Sequence, residues 1–241
     1  MDISRINLWS SPRNISTAMM YSFGNRIDIS VVDEPLYAHY LSFQKTETEH
    51  PGKDEILLNL SSDYKEVIQK VLLAPYPTPI VLFKQMSHHL IEMDWDFMLS
   101  MQNVLLIRNP EEIIHSYSKV IENPTMEDVG IEMQYELYNF LLTNGKEPII
   151  IDTNDVLKNP SKILKLLCTQ LGIPFSDSML TWEKGPRKED GIWAKYWYEN
   201  VHNSTGFLPY TPKEIHLNEK LKRLSQTAQP FYDFLYEKAI G

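Results

Sequence analysis

Five short apolar runs decide most of what this chain can become. They are Arg5–Trp9, Ile29–Asp33, Ile80–Lys84, Val104–Arg108 and Ile149–Asp152. Each has strand length, and none keeps the strict apolar–polar alternation of a half-exposed strand, so each reads as a strand covered on both faces. Helical spacing fills the gaps at Ile15–Asn25, Tyr64–Leu73, Pro110–Val120 and Ile131–Leu142, the third opening with Asn109 and Glu112 in capping-box positions. Strands alternating with helices give βα units and a parallel sheet. The expected fold is therefore α/β, a three-layer sandwich around a central five-stranded parallel sheet. After Asp152 only helical patterns follow, at Ser161–Leu171, which stops at Gly172 before Pro174, and at Pro212–Ala239. Between them Trp182–Pro209 has no clear period and reads as a long surface loop or a functional cover.

The 241 residues suit one domain spanning 1–241, with 182–209 as its cover, and show no repeat or linker. A net charge of −9 argues against a nucleic-acid or anionic-membrane partner, since both require a basic face. Cys168 is the single cysteine, which excludes an internal disulfide and a cysteine-based zinc cluster and fits a reducing, cytoplasmic setting. The start, MDISRINLWSSPRN, has charges early and no apolar core of a secretory signal, and no apolar run approaches the roughly 20 residues that cross a bilayer. Self-association is not readable.

The first strand ends in the loop WSSPRNIST, where Pro12, Arg13, Asn14 and Ile15 lead into a helix opening with Ser16 and Thr17. Such a turn offers backbone N–H groups and a positive dipole end to an anion, with Arg13 and the hydroxyls adding donors. A plain helix cap beside a solvated arginine uses the same residues. The glycines and lysine of a Walker A loop are missing, which counts against a kinase or ATPase. Farther on, VLLIRNPEEIIHSYSKV sets Arg108 at a strand end and Ser116 eight residues later. An arginine at the carboxyl edge of an open α/β sheet lies where such sheets bind ligands. A pair with Glu111 or Glu112 is its structural alternative. The third stretch, WEKGPRKEDGIWAKYWYEN, mixes Lys184, Gly185, Arg187 and Lys188 with Trp193, Tyr196 and Trp197, chemistry suited to covering a polyanion that carries an aromatic base.

In order and content these three stretches resemble the sulfotransferases, and the chain is similar to sulfotransferase-like proteins often labelled branched-chain aminotransferase-like. The resemblance implies a P-loop-like sulfotransferase fold and transfer of a sulfonate group from 3′-phosphoadenosine 5′-phosphosulfate (PAPS), leaving 3′,5′-ADP, to a hydroxyl or amine of a small acceptor. It implies that residues 12–17 hold the 5′-phosphosulfate, Arg108 and Ser116 the 3′-phosphate, and Lys184, Gly185, Arg187 and Trp193 the outer side of the nucleotide. The usual glycine of the first loop is absent here. No metal is required, because basic side chains and backbone donors can meet the charge of a sulfonate in flight. Candidate bases stand at two strand ends: Asp33 and Glu34 before Pro35, and His88 and His89 after Lys84. In the family a lysine near the third strand often touches the bridging oxygen, which nominates Lys84. Sulfotransferases use a His or a Glu as base, depending on branch, so the resemblance implies one of these here. DEPLY favours Glu34, with His88 second because Lys84 is followed by QMSH and not by the compact Lys-Thr-His of the sterol and phenol enzymes. Tyr37, Tyr40, Phe43, Met86, Trp95, Phe97 and Met98 could wall an acceptor pocket or simply pack the core. A pyridoxal-phosphate aminotransferase needs a Schiff-base lysine in another fold, for which the residues give no support. Two rivals stay open, an atypical P-loop kinase and a nucleotide-binding protein without turnover.

Overall fold

A computed structural model describes residues 3–43, 50–119, 121, 123–212 and 214–241. Its centre is a sheet of β1 (Ser4–Ser10), β2 (Ile29–Asp33), β3 (Ile80–Met86), β4 (Gln102–Ile107) and β5 (Ile149–Asp152). The strands lie in the order β2-β3-β1-β4-β5, each parallel to its neighbours. Five of the expected edges shift, β1 gaining Ser4 and Ser10 and β4 starting at Gln102. β3 runs on to Met86 because Ser10 is there to pair with it, whereas β4 stops at Ile107, its last partner being Asp152, so Arg108 is the first residue beyond the strand.

Among the described residues twelve α-helical segments surround the sheet: α1 (Ser16–Gly24), α2 (Tyr37–Phe43), α3 (Lys53–Asn59), α4 (Tyr64–Val67), α5 (Pro110–Tyr117), α6 (Met126–Val129), α7 (Ile131–Thr143), α8 (Thr153–Lys158), α9 (Pro160–Gln170), α10 (Ala194–Trp197), α11 (Glu199–His202) and α12 (Glu219–Tyr236). The expected helix from Tyr64 divides into α4 and a π turn over Ile68–Leu72. The one expected over Pro110–Val120 ends at Tyr117, with Val120 outside the described residues. The last helix begins seven residues late, since Asn218 takes the cap position and accepts from Leu221 N.

Successive residues of each central strand point to opposite faces, and both faces are apolar. Ile6, Leu8, Leu82, Val104 and Leu106 pack with Met19 and Phe23 of α1 and Ile163, Leu164 and Leu167 of α9. Trp9, Leu105 and Ile107 pack against Ile113 and Ile114 of α5, Leu137 and Leu141 of α7, and Tyr232 and Leu235 of α12. This is the three-layer α/β sandwich that the runs predict. Among the described residues no helix is long and apolar enough to cross a membrane.

The order of strands positions the site. The chain leaves β1 toward β2 on one side and leaves β3 toward β4 on the other, so adjacent β1 and β3 send their connections in opposite directions and a crevice opens at their carboxyl ends. Asp152 braces the neighbouring edge. Its carboxylate accepts from Asn154 N at 2.8 Å, Asp155 N at 3.3 Å and the Tyr232 hydroxyl at 3.0 Å, tying β5, α8 and α12 together. Burial pushes this carboxyl from 3.8 up to about 6. A raised folded value means that stability from this group is full below pH 4 and lost as pH climbs through 6, roughly 3 kcal/mol at most. Asp152→Asn keeps an acceptor at the cap and removes the buried charge. It should raise stability by about 1–3 kcal/mol at pH 7 and change little at pH 4, read from urea midpoints at both values. Equal effects at the two pH values would refute the titration.

Candidate functional site

The turn after β1 is built by Arg13 and Asn14. Arg13 adopts φ 58°, a left-handed conformation that a non-glycine residue keeps only when its surroundings hold it. Here its carbonyl accepts from Arg108 Nη1 at 2.7 Å and its Nε donates to Ser116 Oγ at 3.1 Å. Asn14 Nδ2 donates to Leu106 O at 3.0 Å, while its Oδ1 accepts from Ile15 N and from the Thr153 hydroxyl. The turn is thus laced to the ends of β4, α5 and β5. The helix it feeds, α1, has Ile15 at its cap, no side-chain cap and no acidic residue in its first turn. Its leading N–H groups lie at the positive end of the dipole, and in the turn before them Ser11 Oγ is buried with no hydrogen-bond partner among the described residues. Pro12 is half-buried at the bend, Ser16 is buried, and Thr17 is half-buried on the first turn of α1.

Arg108 is held as well as holding. It pairs with Glu112 Oε2 at 2.9 Å, and Glu112 Oε1 accepts from Asn154 Nδ2 at 2.9 Å. The expected capping box therefore does not form: Asn109 caps α5 through Glu111 N, and Glu112 turns to the arginine instead. Arg13, Arg108, Ser116 and the opening of α1 form one donor-rich cluster, in which Arg108 pairs with Glu112 and Arg13 has no carboxylate partner among the described residues.

A second polar centre lies at the ends of β2 and β3, where Asp33 stands in register with Lys84. Lys84 is 1% exposed, and its Nζ donates to Asp33 Oδ1 at 3.0 Å, to Tyr198 OH at 2.7 Å and to Glu34 Oε1. Burial opposes the lysine charge, but Asp33, Glu34 and Tyr198 together outweigh it and hold the ammonium form. Glu34 sits at φ 38°, a second left-handed residue. Burial pushes its carboxyl upward, Lys84 draws it back, and Asp33 adds to the rise. Glu34 is thus one member of an ion pair with Lys84.

His89 is 1% exposed and stacks on Tyr37 and Tyr40 at centroid distances of 4.9 and 4.8 Å. His88 packs edge-on to Tyr40 at 4.9 Å, and burial depresses it to about 3, leaving a neutral imidazole of weak basicity. Tyr37 and Tyr40 belong to an aromatic core with Trp193, while Met98 lies in the main core and Phe43 is exposed. At the end of α5, burial and Asp128 push the Tyr117 hydroxyl up to about 12 and Arg13 pulls it back, so the phenol is neutral.

The 182–207 segment is folded, not loose. An antiparallel bridge joins Thr181 to Gly206, Gly185 N donates to His202 O at 2.9 Å, and Asp190 accepts from Tyr21 OH and Arg187 N. Trp193 is buried and its Nε1 donates to Tyr198 OH at 3.1 Å; a side chain at Gly191 would strike the Trp193 ring at 2.1 Å. Lys184, Gly185 and Arg187 line a pocket of about 580 Å³ with Asn25, toward the carboxyl end of α1. Arg187 lies 4.3 Å over the Tyr21 ring. The structure thus brings Arg13, Asn14, Arg108 and Ser116 together, gathers Glu34, Lys84 and Trp193 around Tyr198, and sets Lys184, Gly185 and Arg187 along α1 away from its opening.

A five-stranded parallel α/β sheet, with a turn after its central strand laced to two arginines and a buried ionic cluster at its edge, defines a fold of the P-loop-like class. Sequence comparison narrows this. The profile of the sulfotransferase domain family matches residues 4–239, and the chain belongs to that family. It is 39% identical over 203 residues to branched-chain-amino-acid aminotransferase-like protein 2 of Arabidopsis thaliana and 36% identical over 233 residues to protein 1 of the same name. Those matches cover 84% and 95% of this chain but 36% and 41% of the two relatives, so the chain spans about two fifths of their length or less. Among solved structures it is similar to a sulfotransferase from Alicyclobacillus acidocaldarius (TM-score 0.56, 12% identity, 98% of this chain and 96% of that one). It is also similar to the sulfotransferase domain from the curacin biosynthetic pathway (0.54, 16%, 94% and 98%) and to mouse sulfotransferase SULT7A1 complexed with PAP (0.50, 12%, 98% and 84%). At such identities these likenesses speak for the fold.

Tyr198 and Thr153 escaped the sequence reading. Tyr198 is one aromatic among several in WAKYWYEN, and nothing in that string says which ring turns inward. Thr153 follows β5 directly, a strand-end position that could have singled it out.

Proposed function

We propose that this chain transfers a sulfonate group from PAPS to a small-molecule acceptor, acting as one domain with 182–209 as its cover. The observation that carries the reading is the convergence of Arg13, Arg108, Ser116 and the uncapped opening of α1 at the crevice where the sheet's connections diverge. Two guanidinium groups and a row of backbone donors suit the two separated phosphates of such a nucleotide, and the orphaned Ser11 hydroxyl adds a donor. The mouse relative bound to PAP supports the choice of nucleotide. Among the described residues no group of three or more His, Cys, Asp or Glu could hold a metal, and the reading assigns none a role.

PAPS supplies an activated sulfur; the chain supplies position and charge. The α1 opening and Arg13 hold the oxygens that gain charge as the bond from sulfur to the phosphate oxygen breaks, and Arg108 with Ser116 anchors the 3′-phosphate. Glu34 takes the acceptor proton as the acceptor forms its bond to sulfur, and 3′,5′-ADP leaves. Glu34 is preferred to His88 because burial raises the carboxylate's proton affinity toward neutral pH and lowers the imidazole's. Lys184, Gly185 and Arg187 are candidates for the outer side of the nucleotide only if their segment moves toward the α1 opening.

Calorimetry with 3′,5′-ADP, 5′-AMP and ATP tests the nucleotide. A clear preference for 3′,5′-ADP is expected, and Arg108→Ala should weaken it by about 1.5–3 kcal/mol, roughly 10- to 150-fold, while leaving 5′-AMP almost untouched. Equal affinity for all three nucleotides would end the reading in favour of a kinase or a binding protein.

A further inference from the structure

The buried centre around Lys84 uses its hydrogen bonds completely on one side and incompletely on the other. An ammonium has three N–H donors, and Lys84 spends them on Asp33, Glu34 and Tyr198. The Tyr198 hydroxyl accepts from Lys84 and from Trp193 Nε1, so its own proton goes to Asp33, at 2.7 and 2.9 Å from the two carboxylate oxygens. Asp33 also accepts the Gly191 N–H at 3.0 Å, and its side chain is 1% exposed. Glu34 differs: Oε1 accepts from Lys84, but Oε2 has no hydrogen bond among the described residues, His89 Nε2 standing 3.9 Å from it.

We infer that Tyr198 and Asp33 are positioning residues that commit every N–H of Lys84 and leave Glu34 Oε2 as the single atom of this centre open to take a proton. The inference rests on the reading of Glu34 as base and assigns what surrounds it. It also gives Lys84 a different task from contact with the bridging oxygen, since no N–H remains for that contact in this arrangement. The groups facing Glu34 are Lys84 from β3, Asp33 from β2, Tyr37 from α2, His89 after β3 and the Tyr198 hydroxyl from the segment between α10 and α11. Because Tyr198 belongs to the 182–207 segment, the docking of that segment and the state of the base are one event.

The test reads Glu34 directly and needs no acceptor. The full chain is labelled with 13C at the glutamate side-chain carboxyls, and the Glu34 signal is assigned by its loss in Glu34→Gln. Tyr198→Phe strips a donor from Asp33, whose less-screened charge then raises the Glu34 midpoint, expected at about tenfold in proton affinity. Replacing Tyr198 by 3-fluorotyrosine keeps ring and hydroxyl, strengthens the donor and weakens the acceptor, and should move the midpoint the other way, which keeps the test sharp even where the phenylalanine variant folds poorly. Movement in opposite directions supports the inference. A Glu34 midpoint unmoved in both variants overturns it while leaving the base reading intact; wild-type transfer by Glu34→Gln, with the midpoints moving as expected, removes the base reading and supports the arrangement described here.

Discussion

Lys84→Met should cost about 3–5 kcal/mol of stability at pH 7, the usual penalty for deleting one member of a buried ionic group and leaving its partners charged. Methionine matches the lysine stem in length, so packing changes little and the loss reports the charge. Asp33 and Glu34 would then face each other across a site that is 7% exposed at each residue, with only the Tyr198 hydroxyl and the Gly191 N–H as donors. Acid is expected to rescue the variant. Without the ammonium, Glu34 has a folded proton affinity far above its unfolded one, so the site's stability is greatest below the unfolded carboxylate value and falls as pH rises through the folded one. Urea midpoints for wild type and variant at pH 7 and pH 5 settle it: the gap should narrow markedly at pH 5. An undiminished gap would mean that packing, and not charge, makes Lys84 indispensable.

Glu34→Gln should lower turnover by a factor of about 10²–10⁴, the range over which a positioned general base acts. The amide preserves size and the hydrogen bond from Lys84 to Oε1, and it tolerates the left-handed backbone as well as the acid does, so nucleotide affinity should stay near wild type. The pH profile carries independent information. In the wild type the rate should fall on the acid side as Glu34 is protonated, and burial places that limb above the ordinary carboxylate range. The residual rate of Glu34→Gln should lack the limb. Release of 3′,5′-ADP from PAPS, followed across pH with any acceptor that the wild type accepts, reads both. A variant that keeps its rate and its acid limb would transfer the role away from Glu34.

Most of the sheet was legible because a strand buried on both faces leaves a contiguous apolar run, and all five runs became strands. The grouping of Arg13 and Arg108 was legible for a related reason: they follow the ends of β1 and β4, where proximity in sequence to a strand end fixes proximity in space. Arg13 and Ser116, 103 residues apart, meet because β1 and β4 are neighbours. The short helices were not legible, since segments such as α6, α10 and α11 have four residues each and no period to display. The surroundings of Lys84 were hidden for another reason. Pairing of a buried cation with two carboxylates and a phenol depends on side-chain directions that strand assignments alone do not give. Lys184, Gly185 and Arg187 show the limit of motif order, which orders residues along the chain without saying which end of α1 they reach.

The hydrogen bond from Lys84 to Tyr198 spans 114 residues, and that separation has a meaning in time. During synthesis from the N-terminus, Asp33, Glu34 and Lys84 emerge long before the tyrosine that completes their network, at a few to some tens of residues per second. Four strands can pair once β4 has emerged, yet the charged centre at their edge still lacks one of its partners. A nascent or truncated chain that stops short of Tyr198 would therefore carry a partly formed sheet around an unbalanced ionic cluster, and the hydrogen-bond network of Lys84 would be complete only as the last third of the protein closes over it.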